Sequence, residues 1–315
     1  MRRPVWTPLV AMAAAALLLG ACSDSSRPLS PTASVSTATD TTPATSTTVR
    51  TTVAPTTSLP PTSTTLAGGG WAEVPVITSP WGALGWWDGS TWVDAVDQPD
   101  TDLTGRYRLL GLLGSGRADA DTVGEYCSEE VGGVRPYPEL PWGEGSPFPA
   151  WALALSAPWD LGSVEVFEAE AGHVDVVSEF FSSRGFEVEE PRIVQAISAD
   201  LFADGTPDSV LVAESIGDPV SLLPTVGDYS VVMILPDGDL EASPLLLGSE
   251  VVVRDPESGE IPYTLRVPAI ADLNGDGTLE VAVASAYYEG QGINVFAQVE
   301  GIRGLDPVLG AGCGA

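Results

Sequence analysis

The stretch that most constrains this chain is Ala271-Asp272-Leu273-Asn274-Gly275-Asp276-Gly277-Thr278-Leu279-Glu280, followed without a break by Val281-Ala282-Val283-Ala284. Oxygen-bearing side chains fall on alternate positions, glycines allow a sharp turn, and the apolar run that follows reads as a buried strand. A hard cation such as Ca²⁺ needs about six to eight oxygen ligands around one point. Asp272, Asn274 and Asp276 supply side-chain oxygens, Thr278 a main-chain carbonyl, and Glu280 two oxygens to close the shell. The bland alternative is an Asp/Gly-rich turn whose carboxylates are simply solvated. An EF-hand is excluded, because its twelfth loop position must be acidic and here is Val283.

A second copy lies 72 residues upstream, from Asp200 to Asp208. It keeps Asp200, Asp204, Thr206 and Asp208 in the corresponding places, with Gly205 as the turn residue. Phe202 stands where an Asn or Asp is expected and has no oxygen to offer, so this loop is the weaker candidate. Both loops lead into apolar strands, Ser209–Val212 and Val281–Ala284. A further strand follows each, Tyr229–Leu235 and Ile293–Ala297. That is an internal repeat. Strand, acidic loop and strand together resemble the FG-GAP or VCBS repeat, the calcium unit of integrin-alpha-like propellers and of many bacterial surface proteins. The resemblance rests on Asp272, Asn274, Asp276, Gly277 and Glu280 and implies one calcium site there.

Around the repeat, Val174, Val177, Phe180 and Phe181 recur at helical spacing between His173 and Ser183, with Gly185 placed as a C-terminal cap. A strand is expected at Ser163–Phe167 and another at Ile193–Ser198. Ala83–Val93 carries a hairpin signal with Asp88-Gly89 at its turn. Pro136 through Pro149 reads as an irregular crossing loop. The expected fold class is α+β: mostly antiparallel β, with blade-like repeat units and at least one helix. Two acidic loops are too few for a complete seven-bladed propeller.

At the amino end, Arg2 and Arg3 precede an apolar stretch from Leu9 to Leu19, too short for a stable membrane span. Leu19-Gly20-Ala21-Cys22 then resembles the lipobox of bacterial lipoproteins. The resemblance implies cleavage before Cys22, a diacylglyceryl group on its thiol, and anchoring to the outer face of the cell membrane. An ordinary secretory signal is the alternative. Ser23 to Gly70 is dominated by Thr, Ser, Pro, Ala and Val and has no aromatic residue, the composition of an extended spacer. The expected organisation is a signal peptide at 1–21, lipidated cysteine and linker at 22–70, a Trp-rich β region at 71–160, and an α+β region with both acidic loops at 161–315. Cys127 and Cys313 remain, and in an exported protein they are expected to pair; two free thiols are the alternative.

Charge narrows the partners. From Trp71 onward, nine arginines stand against 41 acidic residues, a net of −32, and the chain contains no lysine. Nucleic acid is disfavoured, since phosphate backbones need cationic side chains. The eight tryptophans beyond the signal all lie between Trp71 and Trp159. They are read mainly as filling a small β core, with stacking on sugar rings as the alternative. His173, the one histidine, is read as a helix-start residue. No nucleophile elbow stands near it, and the usual zinc ligands are lacking, so the sequence leans away from an enzyme. The favoured expectation is a lipid-anchored cell-envelope module that binds calcium for structure or for recognition of a protein or glycan. The alternative is a secreted carboxylate-dependent hydrolase, glycosidase-like, or its accessory subunit.

Overall fold

The computed structural model describes residues 71, 75–98, 100–126, 135–143, 148–188, 190–216, 227–248, 251–252, 263–287, 290–298 and 304–314. The signal peptide, Cys22, the linker and Cys127 lie outside them. The described residues fall in one compact unit.

Five short strands open the fold: β1 (Ile77–Ser79), β2 (Gly82–Trp87), β3 (Trp92–Asp94), β4 (Gly105–Gly111) and β5 (Gly114–Ala120). β6 (Val123–Tyr126) and β7 (Arg135–Pro138) form a separate two-stranded ribbon. Ribbon structure therefore extends as far as Pro138 into the segment expected to be an irregular crossing loop. Pro136 and Pro138 are tolerated there because a two-stranded ribbon is all edge. β8 (Leu153–Leu155) inserts into the first sheet, giving the order β3-β2-β1-β8-β4-β5. Asp88 holds the β2–β3 turn, its Oδ1 accepting from the Ser90 and Thr91 amides at 2.8 Å each, while Gly89 takes φ 97°.

The second sheet runs β13-β12-β11-β10-β9, from β9 (Glu165–Val166), β10 (Ile193–Ala199), β11 (Asp208–Glu214), β12 (Tyr229–Leu235) and β13 (Leu245–Leu246), with β14 (Val251–Val252) also pairing β12. The third is a four-stranded meander of β15 (Thr264–Ala271), β16 (Glu280–Tyr287), β17 (Gly290–Gln298) and β18 (Leu305–Gly314). Every pairing is antiparallel. The fold is α+β with antiparallel sheet predominant, as expected.

The helix α1 spans Ala171–Ser182. His173 is consumed at its start, Nδ1 accepting the Glu170 amide at 3.1 Å. Gly185, at φ 79°, ends it, and the Phe186 amide returns to the Phe181 carbonyl at 3.0 Å.

Core packing explains why the central strands are buried on both faces and mostly apolar. Along β16, Ala282 and Ala284 join Ile77, Leu84, Leu153 and Leu155 of the first sheet in one core, while Val281 and Val283 join Ile197, Val210, Val212 and Val232 of the second. The third sheet is thus covered on both faces, and along β16 the small residues lie toward the first sheet and the larger ones toward the second. The second sheet turns its other face, including Leu211, Val231 and Met233, to Val177, Phe180 and Phe181 of α1. The core shared by the first and third sheets crosses the boundary expected near residue 160. Of the tryptophans, Trp81 is buried in that core, whereas Trp86, Trp87 and Trp92 are half-buried; Trp87 and Trp92 face each other across the hairpin, ring centroids 5.4 Å apart.

Candidate metal centre

Each acidic stretch is the turn of a hairpin, and the two share one register. Ala271 pairs with Glu280 across β15–β16, and Ala199 pairs with Asp208 across β10–β11. The turns lie side by side, the Leu279 amide donating to the Leu201 carbonyl at 3.1 Å.

In the downstream turn Asp272 organises the chain. Its Oδ1 accepts from the Gly275 amide at 2.6 Å and its Oδ2 from the Gly277 amide at 3.0 Å. These contacts require both glycines to take positive φ, 82° and 91°. Asn274 Oδ1 accepts from the Asp276 amide at 2.9 Å, and Asn274 Nδ2 donates to Asp276 Oδ2 at 2.9 Å. Asp276 Oδ1 accepts from the Thr278 amide at 2.8 Å and from its hydroxyl at 2.6 Å. Beneath them Glu280, 1% exposed, accepts the Leu273 amide on Oε2 at 2.6 Å. Burial pushes the Glu280 carboxyl up to about 8; the Leu273 amide pulls the other way, and the negative Asp276 and Asp272 add to the rise.

A strap from the first half of the chain holds this turn from outside. Trp159 Nε1 donates to the Asp272 carbonyl at 2.9 Å, and the Asp272 amide donates to the Leu161 carbonyl at 3.1 Å. The Trp159 ring lies against Gly275, where an added Cβ would come within 3.4 Å of it. Nothing in the spacing of Trp159 announces this role, because no local pattern records a contact 113 residues away.

The upstream turn repeats the plan with different chemistry. Asp200 takes the Asp204 and Gly205 amides at 3.1 and 3.0 Å, and Asp204 Oδ1 takes the Thr206 amide at 2.9 Å. Phe202 packs against the core between the second and third sheets. Ala203 occupies the place of Gly275 at φ 53°. Asp208, also buried, spends Oδ2 on the Leu201 amide at 2.9 Å and Oδ1 on the Asp237 amide at 3.0 Å.

Oxygen donors throughout the Asp272 turn suit a hard cation. As they stand they are engaged with amides of their own turn, and among the described residues no three Asp, Glu, His or Cys side chains are gathered as a ready ligand set. The burial pattern distinguishes the sites. Glu214 is as buried as Glu280 but lies between Arg192 Nη2 at 2.8 Å and Arg266 Nη2 at 2.6 Å. Asp208 has two amides. Glu280 has two further carboxylates for charged neighbours, so the residues of the Asp272 turn fit a cation, and those of the Asp200 turn, with Phe202 turned inward, do not. Cys313 is half-buried on β18, opposite Gln291. Two surface cavities open elsewhere, one holding Asp94 beside Arg135 and the other Arg108 beside Arg117; neither sets two carboxylates face to face. Compared with family models, curated proteins and solved structures, the chain matches none.

Proposed function

We propose that this chain is an exported, lipid-anchored cell-envelope module in which the Asp272 turn takes one calcium ion. Asp272, Asn274, Asp276, Thr278 and Glu280 would hold it, and the ion would supply the positive charge that the turn lacks. The Asp200 turn is its structural twin without metal. The observation that carries the reading is Glu280: a carboxyl 1% exposed whose charged neighbours are Asp272 and Asp276. Burying a carboxylate beside like charges costs free energy unless a cation or a proton relieves it. The resemblance of both turns to FG-GAP and VCBS units supports the same conclusion. Attachment through Cys22 and a Cys127–Cys313 disulfide closing the last strand onto the first half belong to this proposal. So does recognition of an envelope protein or glycan by the rigid module that calcium would complete.

The test is calorimetry of the full chain in about 1 mM calcium, the range of extracellular sites, and again in EDTA. Calcium is expected to raise the melting temperature of the parent protein and of Asp204→Ala, and to leave Asp276→Ala unmoved. A parent protein that melts alike in both buffers, or an Asp276→Ala protein that keeps the full rise, sinks the site.

A further inference from the structure

We propose that Arg108 on β4 and Arg117 on β5 form an oxyanion site for a phosphate or carboxylate group, independent of the acidic turns. The two arginines are direct cross-strand partners, and like charges opposed in this way destabilise a sheet. The placement is costly in a chain with so few cations. Among the described residues the other arginines are engaged. Arg106 pairs with Asp119, Arg135 lies 3.6 Å from Asp94, Arg192 and Arg266 hold Glu214, and Arg184 lies over the Phe180 ring. Among the described residues Arg117 has no such partner, and Arg108 has no carboxylate.

Arg108 is nonetheless held in place. Its Nη2 donates to the Pro158 carbonyl at 2.7 Å, and its guanidinium lies 5.9 Å from the centre of the Trp71 ring. Its Nε is buried with no hydrogen-bond partner among the described residues, so the donors it can offer a ligand are those of its Nη groups. Beside the two guanidiniums opens a surface cavity of about 230 Å³ lined by Arg108, Ser115, Gly116 and Arg117. Two planar forks and a hydroxyl around a small cavity suit an oxyanion, which accepts bidentate hydrogen bonds and removes the repulsion between them. The cavity has room for a phosphate group or one sugar acid, and the ligand is placed in that chemical class.

The experiment is titration calorimetry and thermal melting of the full chain with inorganic phosphate and, separately, glucuronate, each against chloride at matched ionic strength. At least one of the two anions is expected to bind saturably and raise the melting temperature beyond chloride. Arg117→Gln should weaken that binding by about tenfold or more, yet melt no lower than the parent when both anions are absent, because it removes a like-charge opposition. Arg108→Lys, which keeps the charge and loses the fork, should bind more weakly than the parent. A response to phosphate alone assigns phosphoesters, a response to glucuronate alone assigns carboxylated sugars, and either supports the site. Binding of neither anion, equal binding by Arg117→Gln, or an anion-free loss of stability in Arg117→Gln overturns it.

Discussion

The Asp200 and Asp272 turns share a register and a hydrogen-bonded plan, yet they resolve the charge of their ninth residue in opposite ways. Asp208 is one methylene shorter than Glu280 and ends between two main-chain amides, those of Leu201 and Asp237. Glu280 reaches further, takes the Leu273 amide, and lies under two other carboxylates. The first turn is complete as a hairpin of protein alone. The second is a hairpin with surplus negative charge, held in shape by Trp159 and Leu161 from a distant segment. A repeat can therefore preserve its backbone while only one copy keeps a reason to hold a cation.

The sharpest way to break this comparison is through the ninth residues. The folded-state pKa of Glu280 lies above its ordinary value of 4.5, at about 8. The folded protein therefore keeps a proton that the unfolded chain releases. Stability from this group is full below about pH 4.5 and is lost as pH rises through about 8. In EDTA, the parent protein should lose on the order of 3 kcal/mol relative to Glu280→Gln between pH 5 and pH 8.5, measured by denaturant unfolding. At pH 8.5 Glu280→Gln should be the more stable of the two, while Asp208→Asn should be less stable than the parent by about 2 kcal/mol, because its amide group must face one of two donors. Equal losses in both variants would mean that the two turns do not differ in charge balance.

The strap offers a smaller effect. Trp159→Phe keeps the ring against Gly275 and removes the donor to the Asp272 carbonyl, so it should cost about 1 kcal/mol and weaken the calcium response, with the stability loss from Asp204→Ala unchanged when the two are combined. A non-additive pair would show that the strap serves both turns. Smallest is Ala203→Gly. Ala203 takes a positive φ where its counterpart is Gly275, so relief of that strain, offset by added chain entropy, should raise stability by roughly 0.5 kcal/mol. A loss there would show that the Ala203 backbone carries no strain.

Much of the secondary structure was legible from period and punctuation. Tyr229–Leu235 is a strand with the expected bounds, and the helix begins two residues before His173 and ends at Ser182. Runs such as Val281–Ala284 read correctly as buried because both faces of their sheet are covered. The Trp-rich half was less legible. One tryptophan is buried, most others are half-buried, and one reaches the candidate metal turn. Pro136 and Pro138 suggested irregular chain, but the constraint on proline in a sheet applies to a donor, and a ribbon edge needs none from them.

By itself the sequence determined the repeat, the turn residues and their donor atoms, because hydrogen bonding inside an eight-residue turn depends on near neighbours. It determined the acidity as well, since charge is a count. Only tertiary structure decided which buried carboxylate is neutralised. Arg266 meets Glu214 from 52 residues away, Asp237 meets Asp208 from another hairpin, and Trp159 meets Asp272 across sheets. Such pairings follow from how the sheets stack, and stacking depends on the whole set of apolar faces at once.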